Sequence, residues 1–221
     1  MGCISWSPGS SARKRSKAVK RYPHQLVAGY RFTGMRVHRP GMELTGSSVT
    51  ALQVPGAPAS GEGSDLQVSA AGSGVVVHRR GFGRALHHAD MARGWCEFLF
   101  DGRRLRLDLL PALAERVGEV LAWFESQRQF HFFSSSLLIA YDAGDPTPAS
   151  LRLCLIDFAH VQDAAPATAP GQVPALDTCT LVGLRNMAAD LHRLQDAAAR
   201  DALHFAPLPV HPAAPPLTPP S

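Results

Sequence analysis

Asp157 stands at the end of an apolar run, Leu153-Cys-Leu-Ile-Asp-Phe-Ala-His160, and an aromatic and a small residue follow it at once. A carboxylate at that place has two readings. Inside a buried strand it is tolerated only if something offsets its desolvation, and a magnesium ion bridging nucleotide phosphates is one such partner. The other reading is a strand-terminal Asp capping the next turn, and spacing alone does not separate the two. A second group is cationic. The chain's three lysines, Lys14, Lys17 and Lys20, are packed with Arg13, Arg15 and Arg21, whereas its other arginines are scattered. At this spacing many of the charges fall along one helical face, which is either a solvated face or a surface for a ligand bearing several phosphates.

The elements that must position these groups follow from hydrophobic spacing. Residues 11–21 are rich in helix formers, and Tyr22-Pro23 ends that helix. Residues 29–39 alternate imperfectly and predict a strand with a slip at Gly34. Residues 41–74 are dominated by Gly, Ser, Ala and Pro and lack material for a core, so a flexible insertion is expected there. Residues 75–78 then resume as the second arm of a long hairpin. The clearest helix spans 111–128, where Leu113, Val117, Val120, Leu121 and Phe124 recur and Pro111 suits the first position. Two strands, 136–141 and 151–158, flank a Gly/Pro turn and form a hairpin that ends at Asp157. A last helix is expected over 181–200, its stripe of Leu184, Met187, Leu191 and Leu194 packing into the core. Seven prolines in the final fifteen residues make 205–221 a disordered tail. Its Pro212-Ala-Ala-Pro215 meets only the minimal PxxP pattern, with no flanking arginine.

Composition bounds the class. A chain of 221 residues with 45% hydrophobic and 18% charged residues is an ordinary globular domain, and its net charge of +4 matters only because it is concentrated at one end. No run approaches the roughly 18 apolar residues of a membrane span, and no secretory signal opens the chain, so an intracellular protein is expected. Cys3, Cys96, Cys154 and Cys179 are dispersed without a CxxC pair, which supports neither a zinc site nor a disulfide scaffold. The opening Met1-Gly2-Cys3 invites a lipid-anchor reading, but the myristoylation pattern wants Ser or Thr where Trp6 stands.

With these residues in view, a family resemblance emerges. The strings Phe133-Ser-Ser-Ser-Leu-Leu-Ile-Ala-Tyr141-Asp142 and Leu155-Ile-Asp-Phe-Ala-His-Val161 resemble the SSLL and IDF motifs of the inositol polyphosphate kinase family, in wording closest to its multikinase branch. Further pieces occur in family order: Lys20-Arg-Tyr-Pro23 resembles SKYP, Gly34-Met-Arg-Val37 GMRVY, Gly83-Arg-Ala-Leu86 GRSL, and Leu121-Ala-Trp-Phe124 the helix that follows. Asp177 and Gly183-Leu184 hold anchor positions of the last motif, DxGYxxGL. Ala159-His160 after IDF is shared by multikinases and hexakisphosphate kinases, whereas trisphosphate 3-kinases usually carry Gly-Lys.

The resemblance implies an α+β fold, the C-terminal lobe of the kinase over residues 1–204, with an antiparallel sheet, packed helices and an apolar face left open. It implies ATP-dependent phosphorylation of inositol phosphate hydroxyls, with ATP and Mg²⁺ as cofactors. Asp157 would be the catalytic, metal-holding and nucleotide-binding residue, and Ser136 a nucleotide contact. Lys14, Lys17, Arg21, Arg80 and His160 would bind substrate. Inositol polyphosphates are then the partners of a monomer, without nucleic acid or integral membrane association, in nucleus and cytoplasm.

Departures shape the expectation as well. The glycine and aromatics of the last motif are replaced by Cys179, Thr180 and Val182. The PxxxDxKxG signature is missing, no Asp-x-Lys occurs in the chain, and the amino-terminal lobe is absent with it. Gly2, Trp6 and Pro8 match the spacing of the KIGxxTWDP segment that often follows the signature, so Met1 is expected to be an internal methionine of a longer reading frame. The alternatives are a non-catalytic inositol-phosphate-binding or scaffold protein, the hexakisphosphate kinase branch, and a lipid-anchored basic protein.

Overall fold

The computed structural model describes residues 1–7, 9–39, 66–68, 74–144, 147–164 and 174–205. Pro8, most of the 41–74 insertion and the tail beyond Phe205 lie outside the described residues. The chain divides into two compact units, one of Met1–Arg31, His87–Ala92 and Leu107–His204, the other of Phe32–Leu86, Arg93–Arg106 and Phe205–Ser221.

The first unit is built on two long helices. α5 (Leu110–Ser126) turns Leu110, Leu113, Ala114, Val117 and Phe124 inward, and α6 (Thr178–Ala199) answers with Leu181, Leu184, Met187, Leu191 and Leu194. That is the three-and-four spacing of an apolar stripe, and each Leu, Val, Met or Phe side chain in it contributes about 1.5–3 kcal/mol on burial. α6 starts three residues before the apolar spacing suggests. The reason is local: Asp177 is its N-cap and accepts the Thr180 N–H, so a polar first turn precedes the stripe. Ahead of these helices come α1 (Ala12–Arg21) and α2 (Gln25–Ala28). α1 is capped by the Ser11 side chain and buries no residue. After α1, Tyr22 is fully buried, with its hydroxyl 3.9 Å from the Met91 sulfur.

Four short strands complete this unit: β4 (Phe130–Phe132), β5 (Ser136–Ala140), β6 (Arg152–Ile156) and β7 (Val161–Asp163). β5 pairs antiparallel with β6, and β4 with β7. Leu137, Leu155 and Val161 press against a cluster of Phe124, Phe132, Leu181 and Leu184, so one face of the strands rests on the helices. Leu138 and Phe158, by contrast, are more than half exposed.

The second unit contains β1 (Met35–His38), β2 (Leu66–Val68), β3 (Val75–His78), α3 (Arg80–Ala85) and most of α4 (Met91–Leu99). β3 is the middle strand, with Met35 opposite His78 on one side and Leu66 opposite His78 on the other, all antiparallel. The hairpin of 29–39 with 75–78 is therefore present but shorter on its first arm. Gly29 takes φ +67 as the C-cap of α2, which delays the strand to Met35. The expectation of a structureless 41–74 is corrected at Leu66–Val68, which add a strand to the hairpin. This unit also buries a charge pair: Arg39 donates to the Glu97 carboxylate at 2.8 Å, both side chains fully buried, and the guanidinium lies 5.0 Å from the Phe100 ring centroid. The elements are α-helices and antiparallel strands together, the α+β class. No described helix is long and apolar enough to cross a membrane.

Candidate functional site

The site follows from a mismatch in strand register. Phe132 pairs with Val161 in one ladder and Ser136 with Ile156 in the next. Between those rungs lie residues 133–135 on one side and 157–160 on the other, three against four, so the ribbon carries one extra residue. We call this break between the two ladders the bulge, since, as in a β-bulge, one extra residue re-aims a side chain where pairing is interrupted. Asp157 sits at its start with φ +65, and Ser134 opposite has φ +63. Left-handed backbone is uncommon outside glycine, and aspartate is among the residues that tolerate it best.

Two hydrogen bonds hold the interruption together. The Phe133 N–H donates to the His160 carbonyl at 3.3 Å, and the buried Ser135 hydroxyl donates to the Asp157 carbonyl at 3.0 Å. The Asp157 side chain itself is exposed. Both sequence readings of it are thereby corrected. It is not buried in the strand, because the strand ends at Ile156. Nor does it cap the turn, since the Val161 N–H goes to the Phe158 carbonyl instead. Among the described residues, no hydrogen bond or ion pair engages its carboxylate.

Behind the bulge the chain is tied down from two directions. Asp177, buried at the start of α6, accepts the Phe132 N–H at 2.7 Å and the Thr180 N–H at 3.0 Å. The Thr180 hydroxyl returns to the Phe132 carbonyl at 3.3 Å. Residues 1–5 run alongside. The Met1 nitrogen donates to the Ser135 carbonyl, the Ser134 hydroxyl to the Ser5 carbonyl at 2.8 Å, and the Cys3 N–H to the Cys179 carbonyl at 3.1 Å. Cys179 also takes the Ile4 N–H on its sulfur at 3.0 Å and lies 2.7 Å from the Cys3 sulfur. Burial first, and the neighbouring Cys3 thiol second, push the Cys179 thiol up to about 12. The replacements at Cys179 and Thr180 are thus each given a contact that supports the bulge, while Val182 is partly exposed.

The structure brings some of the expected residues together and not others. Asp157 and His160 share the bulge, both exposed. Ser136 occupies the first β5 rung opposite Ile156, and it is its neighbour Ser135 that reaches the Asp157 backbone. Lys14, Lys17 and Arg21 lie exposed on α1 at positions i, i+3 and i+7, one face of the helix. None of the six cations of α1 is in an ion pair among the described residues, and the helix contains no acid. Arg80 is exposed at the first position of α3, in the second unit. Sequence reasoning missed the bonding of Ser135 and Asp177. The signal for Asp177 was available, an Asp before the polar turn Thr178-Cys-Thr180, whereas nothing distinguishes Ser135 from its two serine neighbours.

Comparison with known proteins adds the following. The family model for inositol polyphosphate kinase matches residues 1–192. Inositol polyphosphate multikinase of Rattus norvegicus is 28% identical over 152 residues, 69% of this chain and 31% of that protein. Inositol hexakisphosphate kinase 3 of Mus musculus is 30% identical over 129 residues, 52% of this chain and 33% of that protein. The matches therefore span about a third of the length of these relatives. In fold, the chain resembles an inositol phosphate multikinase structure with a TM-score of 0.62 at 20% identity, over 88% of this chain and 76% of the other. It resembles equally the S. cerevisiae inositol phosphate multikinase solved with ADP and Mn²⁺, with a TM-score of 0.62 at 16% identity, over 88% and 75%.

Proposed function

The chain belongs to the inositol polyphosphate kinase family, and from that premise we propose that it serves ATP-dependent phosphorylation of inositol phosphate hydroxyls, as a multikinase-like member. The observation that carries this reading is Asp157: an exposed carboxylate, without an ion pair or hydrogen bond among the described residues, on a backbone at φ +65 in a bulge that β4–β7 and the start of α6 fasten from behind. Such a donor suits a hard divalent cation, which takes one or two carboxylates together with substrate phosphates and water. The family neighbour solved with ADP and Mn²⁺ supports a nucleotide and a divalent metal; Mg²⁺ and ATP are the pair we assign. Bound there, Mg²⁺ would neutralise charge on the phosphates during transfer.

The remaining roles belong to this chain's own residues. Asp157 would hold the metal, from a backbone position that the Ser135 hydroxyl and the His160 carbonyl fix through bonds across the bulge. The exposed face of Lys14, Lys17 and Arg21 supplies charge-assisted hydrogen bonds to the phosphates of the inositol ring. His160 and Arg80 are further substrate contacts and Ser136 a nucleotide contact in this reading, all taken from the family resemblance. The alternative raised by the sequence, a protein that binds inositol phosphates without turning them over, is the outcome the experiment must separate from the kinase reading.

The experiment is direct. The chain is incubated with ATP, Mg²⁺ and a panel of inositol tris-, tetrakis- and hexakisphosphates, and ADP and the product phosphates are separated and counted. A product carrying one more phosphate, in step with ADP, is expected. Tight binding of the panel with no new product would install the non-catalytic reading, and neither binding nor product would overturn both.

A further inference from the structure

We propose that His24, His87 and His88 form a binding site for a first-row divalent transition metal, of which zinc is the representative. The three residues come from two stretches of the first unit far apart in sequence. His24 precedes α2, and His87 and His88 open the short 3₁₀ turn His88–Asp90 before α4. The contact of the buried Tyr22 hydroxyl with the Met91 sulfur joins these stretches on either side of the histidines.

The geometry is that of a chelating set. The ring centroids of His24 and His87 are 4.2 Å apart, those of His87 and His88 4.1 Å, and those of His24 and His88 5.4 Å. One ring nitrogen from each residue can be chosen so that all three lie within 4.8 Å of one another. His24 Nδ1 and His88 Nδ1 are 3.4 Å apart. Two nitrogens bound at about 2.0–2.1 Å to a tetrahedral ion stand roughly 3.3–3.4 Å from each other, so this pair already has the required separation. His87 is exposed and closes the set by a side-chain rotation. Its Nδ1 now accepts the Ala89 N–H at 3.2 Å, so binding through Nε2 moves the ring proton to Nδ1 and exchanges that bond for the metal.

The donor set also selects the ion. Three imidazoles with no carboxylate suit Zn²⁺, Co²⁺, Ni²⁺ or Cu²⁺ and do not suit Mg²⁺ or Ca²⁺, which prefer oxygen. Three protein ligands leave a fourth position to water or an anion. The ion would fasten the end of α1 to the start of α4 within one unit. The site does not depend on the kinase reading, since none of its ligands is among the residues assigned to that reaction.

The test uses the untagged chain, titrated with Co²⁺ and then with Zn²⁺ against a chromophoric chelator. About one equivalent of Co²⁺ with the intense visible absorption of a four-coordinate ion is expected, displaced by Zn²⁺ and unaffected by a large excess of Mg²⁺. His87→Ala and His88→Ala should each weaken binding by more than about 10-fold, while His192→Ala, elsewhere on the surface, should not. Thermal midpoints of the metal-free variants equal to that of the parent show that they fold. No stoichiometric uptake, or uptake that the two ligand variants leave unchanged, overturns the site.

Discussion

Asp157, the carboxylate to which the proposed metal site is assigned, has its backbone fixed by neighbours. Among the described residues no hydrogen bond or ion pair engages the side chain, and its backbone is set by a left-handed φ, one serine hydroxyl and one N–H across the strand gap. Asp177 carries much of that arrangement, since one carboxylate serves both the Phe132 N–H and the cap of α6. Asp177→Ala is predicted to cost about 2–4 kcal/mol, read as a lower urea midpoint, because it removes a cap and leaves a buried N–H unsatisfied. A second prediction concerns alkaline pH. Burial pushes Cys96 up to about 11, with Glu97 the lesser cause, and Cys179 and Tyr22 up to about 12. These groups are neutral in the fold but ionise on unfolding near their ordinary values of 9.0 for cysteine and 10.0 for tyrosine. The folded state then holds more protons than the unfolded one, so stability is full below about pH 9 and falls as pH rises through the folded values. The urea midpoint should drop as pH rises above about 9 toward about 11, less steeply in the double variant Cys96→Ala, Cys179→Ala. At this scale the sequence exposed Asp157 and the cations by their types, but it could not show that Asp157 is exposed. That depends on where pairing breaks, a one-residue register difference between two ladders.

The elements show the same division between what spacing reveals and what contact decides. α5 was legible almost to the residue because its apolar stripe and Pro111 agree, and the β5–β6 hairpin because both arms are apolar around a Gly/Pro turn. α2, α3 and α4 were not legible, being short or, as in Met91–Leu99, lacking a cap signal. The junction of α2 with α6 depends on two glycines that no periodicity reports. A Cβ on Gly183 would stand 2.2 Å from the Gly29 carbonyl oxygen, and one on Gly29 2.5 Å from the Gly183 nitrogen. Both obstacles are backbone, so Gly183→Ala should destabilise by about 1–3 kcal/mol or more in thermal melts. Gly118→Ala, in α5 with nothing within 4 Å of the new methyl, should instead stabilise by about 0.5–1 kcal/mol. α1 is an element of another kind, six cations with no acid and no buried residue. Like charges at i, i+3 and i, i+4 oppose the helix, and a polyanion on its face relieves them. Inositol hexakisphosphate should raise the thermal midpoint and lose affinity as salt increases, and Lys14→Ala with Lys17→Ala should weaken binding about tenfold or more, by calorimetry.

For the molecule as a whole, the α+β class and the family were legible because motifs in the right order are independent of how the elements pack. The division into two compact units was not, since it groups segments such as His87–Ala92 and Met1–Arg31 that lie far apart in sequence. The three-histidine cluster escaped for the same reason: cysteine spacing argued against zinc, and only folding gathers His24 with His87 and His88. The proposed function requires this kinase-family chain to hold a metal–nucleotide at Asp157 and an inositol polyphosphate through other residues. Asp157→Asn keeps the size of the side chain and removes its charge. Phosphotransfer and inositol phosphate binding should be measured side by side for the parent and this variant. Transfer should fall on the order of 10²-fold or more in Asp157→Asn with inositol phosphate affinity unchanged. Transfer at the parental rate in Asp157→Asn would contradict it.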